Sequence, residues 1–268
     1  MGAMKTLLLL LAQDLSETAQ FERAGTFFKA GSYYEAYQEY ETFLLRFPQS
    51  DHITAAKRME MTSALELARV GRKGFPGVFT SSRTGVDFLR DALRRHPRED
   101  FSADFTQKLG MFLYERGDID HAVEEFSRVL ELYGDAADAV LALYMLGRSS
   151  EIRFEAVDYD MKPLKDARRH YERFLEEADR MRRLPDPART WVDDLLPTVS
   201  ERLTRVYERM LQKQLKTAEY YDWKGASRSS TIYYRAILKE EEAFRKVLRS
   251  FPDTPASRKA RLRLAERK

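Results

Sequence analysis

One spacing of small, glycine and aromatic residues recurs three times along the chain and restricts its fold more than any other feature. In each copy, a glycine follows a small residue after seven positions, a second small residue comes five later, and an aromatic residue four further on. The copies are Ala24, Gly31, Ala36 and Tyr40; Gly110, Gly117, Ala122 and Phe126; and Ala218, Gly225, Ser230 and Tyr234. Small side chains let two helix axes approach closely, the aromatic ring fills the groove beside them, and the glycine supplies the positive φ that ends the first helix. The spacing therefore predicts antiparallel helix pairs.

This pattern resembles the tetratricopeptide repeat, in which helix pairs stack on their neighbours. The resemblance implies an all-α fold: a right-handed superhelical solenoid of about five helix pairs with a C-terminal capping helix. The predicted pairs are 16–30 with 33–46, 53–70 with 85–95, 101–116 with 119–133, 136–154 with 163–182, and 190–223 with 227–250. Prolines after Phe47, His96 and Phe251 are expected to stop helices, because the proline ring cannot continue one. The linker at 71–84 is longer than a repeat turn needs, and such insertions often lie on the binding face.

The composition excludes several classes of function. The 46 basic and 43 acidic residues leave a net charge of +3, which is too balanced to predict nucleic-acid binding. The chain has no cysteine, so its residues form no disulfide, thiol nucleophile or thiolate metal site. His52, His96, His121 and His170 lie in different predicted helices or turns without a zinc-type spacing, and the sequence has no phosphate-binding glycine loop or nucleophile elbow. We therefore predict no enzyme activity, no cofactor and no metal.

The stretch at 255–268 carries six basic residues and one acidic residue, a local charge of +5. We interpret it as a short, solvated basic helix that closes the solenoid. Contact with an acidic partner or with an anionic membrane surface is the alternative.

The first helix of each pair lines the concave surface in this repeat class, so that helix supplies the candidate ligand contacts. Alignment on the small residue selects a mixture of aromatic, methionine and polar or basic side chains. These are Phe21, Phe28, Lys29, Arg58, Met61, Gln107, Met111, Tyr114, Tyr144 and Arg148. Such a mixture suits an extended or hairpin-like peptide with an aromatic end. The alternative for each residue is packing between repeats, which uses the same residue types at the same helical spacing.

The last predicted pair carries a more specific resemblance. It resembles the last repeat of the BamD family, periplasmic lipoproteins of the outer-membrane β-barrel assembly machinery. The resemblance is carried by Lys216-Thr-Ala-Glu-Tyr-Tyr-Asp-Trp-Lys-Gly-Ala226, by Tyr233-Tyr-Arg-Ala-Ile-Leu238 and by Phe251-Pro-Asp-Thr-Pro-Ala256. The N-terminal Gly-Ser-Tyr-Tyr-Glu-Ala and Phe-Pro-Gln-Ser segments are similar to that family as well, and so are the length and the count of five pairs.

The resemblance implies a non-catalytic scaffold for outer-membrane protein assembly. The N-terminal repeats, 5–134, would hold the aromatic-ended targeting strand of an unfolded barrel protein. The C-terminal repeats, 135–268, would dock on the periplasmic domains of the barrel-forming partner, within one continuous solenoid. The docking candidates are Tyr220, Trp223, Tyr233 and Arg235. A docking arginine of the family aligns with Tyr233 here, two residues before Arg235.

The resemblance also implies a periplasmic location and peripheral association with the outer membrane through a lipid-bearing cysteine, which we expect to precede the residues present here. The expected partners are proteins, not nucleic acids. Two alternatives remain open: a generic tetratricopeptide adaptor in another cell-envelope complex, and an enzyme with an unrecognised site in the insertion at 71–84.

Overall fold

The computed structural model describes residues 16–70, 84–154, 160–184 and 186–267, and within these ranges the chain forms helices and no strand. The helices are α1 (Glu17–Lys29), α2 (Tyr33–Arg46), α3 (Ile53–Val70), α4 (Gly85–Arg95), α5 (Ser102–Glu115), α6 (Ile119–Leu132), α7 (Asp138–Ile152), α8 (Lys162–Met181), α9 (Ala188–Trp223), α10 (Ser227–Val247) and α11 (Pro255–Ala265). The first ten form five consecutive pairs, and α11 follows them. The predicted all-α fold of five helix pairs with a C-terminal helix is confirmed. The predicted linker at 71–84 lies outside the described residues except for Thr84.

The chain forms two compact units, one ending at Phe112 and the other beginning at Leu113, inside α5. The first unit contains α1 to α4 and most of α5, and the second contains α6 to α11. The predicted division at residues 134 and 135 separates two functions, and it stays a prediction.

In the first unit, small residues bring α1 and α2 together. Ala24 and Ala36 are fully buried, and the rings of Tyr40 and Phe43 fill the space beside them. Gly31 follows α1 with a φ of +73°, the left-handed conformation that side-chain-bearing residues rarely adopt. The glycines that follow α5 and α9 repeat this conformation. The role predicted for the turn glycine is therefore confirmed.

A buried ionic network joins α2, α3 and α4. The carboxylate of Glu60 is fully buried; it accepts hydrogen bonds from Arg95 and lies 3.1 Å from the His96 Nε2 atom. Arg95 also donates to the Tyr37 hydroxyl at 2.9 Å and pairs with Glu41 at 3.0 Å. Because a buried carboxylate is stable only when it is paired, this network fixes the position of α4 against the first pair.

In the second unit, α7 and α8 cross at a glycine. A Cβ atom at Gly147 would lie 2.2 Å from the Cε1 atom of Tyr171, so the aromatic ring occupies the space that a side chain would need. The Tyr171 side chain is fully buried, and its hydroxyl donates to the Glu151 carboxylate at 2.5 Å. Gly147 thus sets the distance between these helices.

The long helix α9 is the centre of the second unit and packs against α7, α8, α10 and α11. Tyr207 on α9 stacks on Phe244 of α10, with ring centroids 3.8 Å apart, and Phe251 meets both rings edge-on. These buried aromatic contacts hold the last pair together.

The basic residues of the C-terminal helix are largely paired within the protein. Arg261 binds Asp253 at 2.6 Å and Glu241 at 2.8 Å, and Arg267 pairs with Asp222. The interpretation of this stretch as a purely solvated basic face is therefore too simple, because several of these charges hold α11 against α9 and α10.

Candidate peptide-binding and docking surfaces

In the first unit, the predicted peptide contacts divide into exposed and buried side chains. Lys29 and Arg58 are exposed, and the Arg58 guanidinium lies 4.4 Å from the ring centroid of Phe101. Phe28 is half-buried and meets Tyr33 edge-on, with centroids 5.3 Å apart. Lys29, Arg58 and part of the Phe28 ring are thus accessible to a ligand.

Phe21, Met61 and Gln107 serve mainly as packing residues of the first unit. Phe21 packs on Tyr40 and Phe43 and stacks on the His52 ring at 4.9 Å. Met61 is fully buried, and Gln107 is nearly so. Met61 therefore offers no surface to a ligand in this conformation. Packing between repeats, the alternative expected from the sequence, describes it.

Gln107 and Met111 lie in the part of α5 that belongs to the first unit, whereas Tyr114 belongs to the second. Neither amide atom of the Gln107 side chain has a hydrogen-bond partner among the residues that the structure describes. Met111 and Tyr114 are half-buried, so each presents part of its side chain to solvent.

In the second unit, Tyr144 and Arg148 lie one turn apart on α7 and are hydrogen-bonded to each other. The Arg148 Nη1 atom donates to the Tyr144 hydroxyl at 3.0 Å. The Arg202 guanidinium from α9 lies in the same neighbourhood and donates to the Glu151 carboxylate at 3.3 Å. Sequence reasoning missed Arg202, because its proximity to Arg148 depends on how α9 packs against α7.

The docking candidates on the last pair form a cluster of rings around the turn between α9 and α10. Tyr220 lies 5.6 Å from Tyr221 and 6.2 Å from Trp223, measured between centroids, and Tyr221 stacks on Tyr233 at 5.5 Å. We call Tyr220, Tyr221, Trp223 and Tyr233 the aromatic cluster. Tyr221 was not among the predicted residues, although it lies in the Ala-Glu-Tyr-Tyr segment that carries the resemblance. Trp223 is 80% exposed, so the cluster presents a large apolar surface to solvent.

A hydrogen-bond network beneath the aromatic cluster fixes the turn. The Tyr234 hydroxyl donates to Asp222 at 2.7 Å, and Arg267 binds the other oxygen of the same carboxylate. Burial, together with the Asp222 carboxylate, raises the pKa of Tyr234 to about 12, so this tyrosine remains a donor at neutral pH. These hydrogen bonds therefore restrain the turn that carries the aromatic cluster.

Arg235, the remaining docking candidate, lies on α10 two residues after Tyr233. It lines a cavity of about 400 Å³ with Arg261, Arg267 and Leu264. Arg261 and Arg267 are paired with carboxylates, whereas no ion pair is recorded for Arg235 among the described residues. The cavity therefore carries a positive charge over a partly apolar floor.

The described residues contain no group of three or more histidine, cysteine or acidic side chains placed to hold a metal ion. His52 stacks on Phe21, His96 contacts Glu60, and His121 lies 2.8 Å from the Asp118 carboxylate. Burial, aided by the charge of a neighbouring arginine, lowers the pKa of His170 to about 4. Each histidine thus has a separate structural environment.

The aromatic cluster and the Arg235 cavity both lie in the part of the chain that a known family matches. The sequence profile of YfiO, described as an outer membrane lipoprotein, matches residues 80–268, more than half of the chain. The chain belongs to this family. The predicted resemblance to BamD-like outer-membrane lipoproteins is thereby confirmed, and helices α4 to α11 lie within the YfiO match.

Other comparisons add little to the family assignment. No curated protein sequence matches the chain significantly. A solved structure, the human IFIT1 dimer with PPP-AAAA, is similar at 16% identity and a TM-score of 0.24, over 95% of this chain and 65% of that chain. The chain thus spans just under two thirds of that protein's length, and a likeness this weak carries no argument. In the described ranges, no helix of this YfiO family member has the length and apolar character needed to cross a bilayer.

Proposed function

We propose that this protein is a non-catalytic, periplasmic scaffold of outer-membrane β-barrel assembly, which binds unfolded barrel proteins and docks on the barrel-forming partner. The observation that carries the proposal is the exposed aromatic cluster on the last helix pair, inside the region that matches an outer membrane lipoprotein family. A second protein that covered these rings would remove a large apolar area from water.

The composition of the aromatic cluster supports docking of a protein. Tryptophan and tyrosine dominate the small set of residues that contribute most of the binding free energy at protein interfaces. The four rings are already packed on one another, and the Lys224 Nζ atom lies 4.9 Å from the Tyr220 ring centroid. Because the rings are held in place before a partner arrives, little side-chain entropy is lost on binding.

The adjacent cavity supports a partner with acidic side chains. Arg235 lies at its edge with an exposed guanidinium, and a carboxylate is the group that a guanidinium binds best. We therefore propose that the docking surface combines the aromatic cluster with Arg235.

The docking half of the proposal is tested with the periplasmic domains of a barrel-forming assembly protein. Titration calorimetry should show binding to the wild-type chain, and Trp223→Ala should weaken it by about thirtyfold, the effect of losing a central interface tryptophan. Leu45→Ala is the matched control, because Leu45 is 79% exposed on α2 and far from the cluster in sequence. Equal affinities of wild type and Trp223→Ala would exclude the aromatic cluster as the docking surface. Absence of binding would favour the generic adaptor instead.

The other half of the proposal, binding of unfolded barrel proteins as guests, concerns the first helices of the pairs. We call it the guest half. Lys29 and Arg58 offer exposed cations, and Phe28 and Met111 offer partly exposed apolar groups. Peptides from the C-terminal strand of a barrel protein should bind the wild-type chain and should bind the Phe28→Ala/Met111→Ala variant more weakly. Circular dichroism checks that the variant is folded. If the peptides bind neither protein, the guest half of the proposal is wrong.

A further inference from the structure

The second unit contains an arginine whose charge has no carboxylate partner among the described residues. Within the described ranges Arg148 donates one hydrogen bond, to the Tyr144 hydroxyl, and its guanidinium carbon lies 5.8 Å from that ring's centroid. The Arg148 side chain is half-buried. A partly buried guanidinium without a counter-ion is unusual, because desolvation disfavours charge and proteins normally pair it.

A second guanidinium nearby is only partly satisfied. Arg202 reaches the two Glu151 oxygens from a single nitrogen, at 3.3 and 3.4 Å, which is long for a charge-assisted hydrogen bond. Its Nε–H group is buried and has no acceptor within the described part of the chain. Glu151 already accepts the Tyr171 hydroxyl at 2.5 Å. The Glu151 carboxylate is therefore shared between the Arg202 guanidinium and the Tyr171 hydroxyl.

The surroundings of Arg148 combine burial, a second positive charge and tyrosine hydroxyl groups. Burial and the positive charge of Arg202 act to lower the pKa of Arg148. The pKa nevertheless lies above its usual value, because of the hydrogen bond to Tyr144 and the nearby hydroxyls of Tyr114 and Tyr144. The pocket thus keeps a net positive charge beside two half-exposed tyrosine rings.

We propose that Arg148 and Arg202, flanked by Tyr114 and Tyr144, form a binding site for a polypeptide carboxylate that lies next to an aromatic side chain. A carboxylate supplies the missing negative charge and accepts two parallel N–H bonds from one guanidinium. The tyrosine rings supply an apolar surface and hydroxyl groups for the neighbouring residue. This inference rests on the proposed function, because it names the group by which the guest is held. The carboxylate is either the end of the guest chain or an acidic side chain.

The test uses three versions of one barrel-strand peptide that ends in phenylalanine: the free acid, the C-terminal amide, and an amide with aspartate at the penultimate position. Binding is measured by fluorescence anisotropy at low salt, where charge pairing is least screened. The free acid should bind the wild-type protein about tenfold more tightly than the plain amide, the ratio that 1.4 kcal/mol provides. In Arg148→Gln the ratio should fall close to one. Arg148→Lys keeps the charge without the planar fork and should retain an intermediate ratio.

Arg205→Gln is the matched control. Arg205 lies on α9 three residues after Arg202, is exposed and pairs with Glu201, so this variant removes one positive charge without touching the site. It should keep the wild-type ratio. Because each ratio compares two peptides on one protein, a loss of active protein does not change it.

The outcomes separate the two proposals. Equal binding of all three peptides by the wild-type protein would overturn the carboxylate site and leave the proposed function intact. A wild-type ratio in Arg148→Gln would overturn the assignment to Arg148. Binding of none of the peptides would overturn the guest half of the proposed function and this inference with it. An aspartyl amide that binds at least as tightly as the free acid shows that the site accepts a side-chain carboxylate, and one that binds like the plain amide identifies the chain end as the ligand; both results support the site.

Discussion

Gly147→Ala tests whether the packing of α7 against α8 requires a residue without a side chain. The added Cβ atom would lie 2.2, 2.6 and 2.7 Å from three atoms of the Tyr171 ring, where ordinary contacts begin near 3.4 Å. Either the helices separate by more than 1 Å or the ring moves. The hydrogen bond from the Tyr171 hydroxyl to Glu151 restrains the ring, so both movements disturb the core.

Three contributions determine how much Gly147→Ala changes the free energy of unfolding. Overpacking a core position costs about 1–3 kcal/mol. Loss of the Tyr171 hydrogen bond to the Glu151 carboxylate costs about 1.5–3 kcal/mol more. Alanine stabilises a helix by about 1 kcal/mol relative to glycine, which opposes both. We expect Gly147→Ala to lower the free energy of unfolding by about 2–5 kcal/mol and the urea midpoint by about 1–2 M.

The assay is urea unfolding followed by tryptophan fluorescence and by circular dichroism. Both tryptophans, Trp191 and Trp223, lie on α9, so the fluorescence reports on the unit that contains Gly147. Gly25→Ala is the control, because its Cβ atom would meet only the Tyr40 hydroxyl at an ordinary 3.6 Å. That variant should be unchanged or stabilised by up to about 1 kcal/mol, as seen by circular dichroism. An unchanged or raised midpoint for Gly147→Ala would refute the reasoning.

Two further predictions concern ionisable groups. Glu60→Gln should destabilise the first unit by about 2–3 kcal/mol in urea unfolding, below the usual cost of breaking a buried pair, because Arg95 is partly exposed and keeps Glu41 as a partner. His170 should titrate near pH 4 by NMR, because burial and the charge of Arg169 lower its pKa from 6.5 to about 4. The unfolded chain therefore binds this proton more readily than the folded protein does. The contribution of the neutral, buried His170 to the free energy of unfolding is complete above about pH 6.5 and is lost as the pH falls towards 4.

Each of these predictions has a control. Glu66→Gln removes an acid on α3 that forms a local, partly exposed pair with Arg69, and it should leave the unfolding free energy nearly unchanged. A comparable loss in both variants would show that burial of Glu60 is not the cause. For His170, the His170→Gln variant should lose less stability between pH 7 and pH 5 than the wild type, and identical pH dependence would contradict the predicted shift.

Sequence spacing predicted the helix pairs well because their ends have local chemical causes. Gly31 adopts the left-handed conformation that its position demands, and α2 ends at Arg46, just before the Phe47-Pro48 dipeptide. Ala24 and Ala36 are buried as their size requires. Such signals act within a few residues, so a single sequence is enough to locate them.

The surfaces were predicted less completely, because they depend on which face of a helix meets its neighbour. Met61 and Tyr144 were both selected by alignment along first helices, yet Met61 is buried and Tyr144 is half-exposed. No sequence pattern pointed to Arg202, because it lies 51 positions from Glu151 in the chain and only tertiary packing brings the two together. Periodicity identifies candidate faces, and packing decides which of them solvent reaches.

The 36-residue helix α9 gives the second unit a property that stacked repeats usually lack. A chain of repeats can open one pair at a time from its end, because each pair touches only its neighbours. Here a single helix, about 54 Å long at 1.5 Å per residue, touches four other helices, including the last one. Opening the final pair would break contacts across most of the second unit, so fraying from the C-terminal end is suppressed. Trp223 thus lies at the end of a helix that its neighbours hold in place.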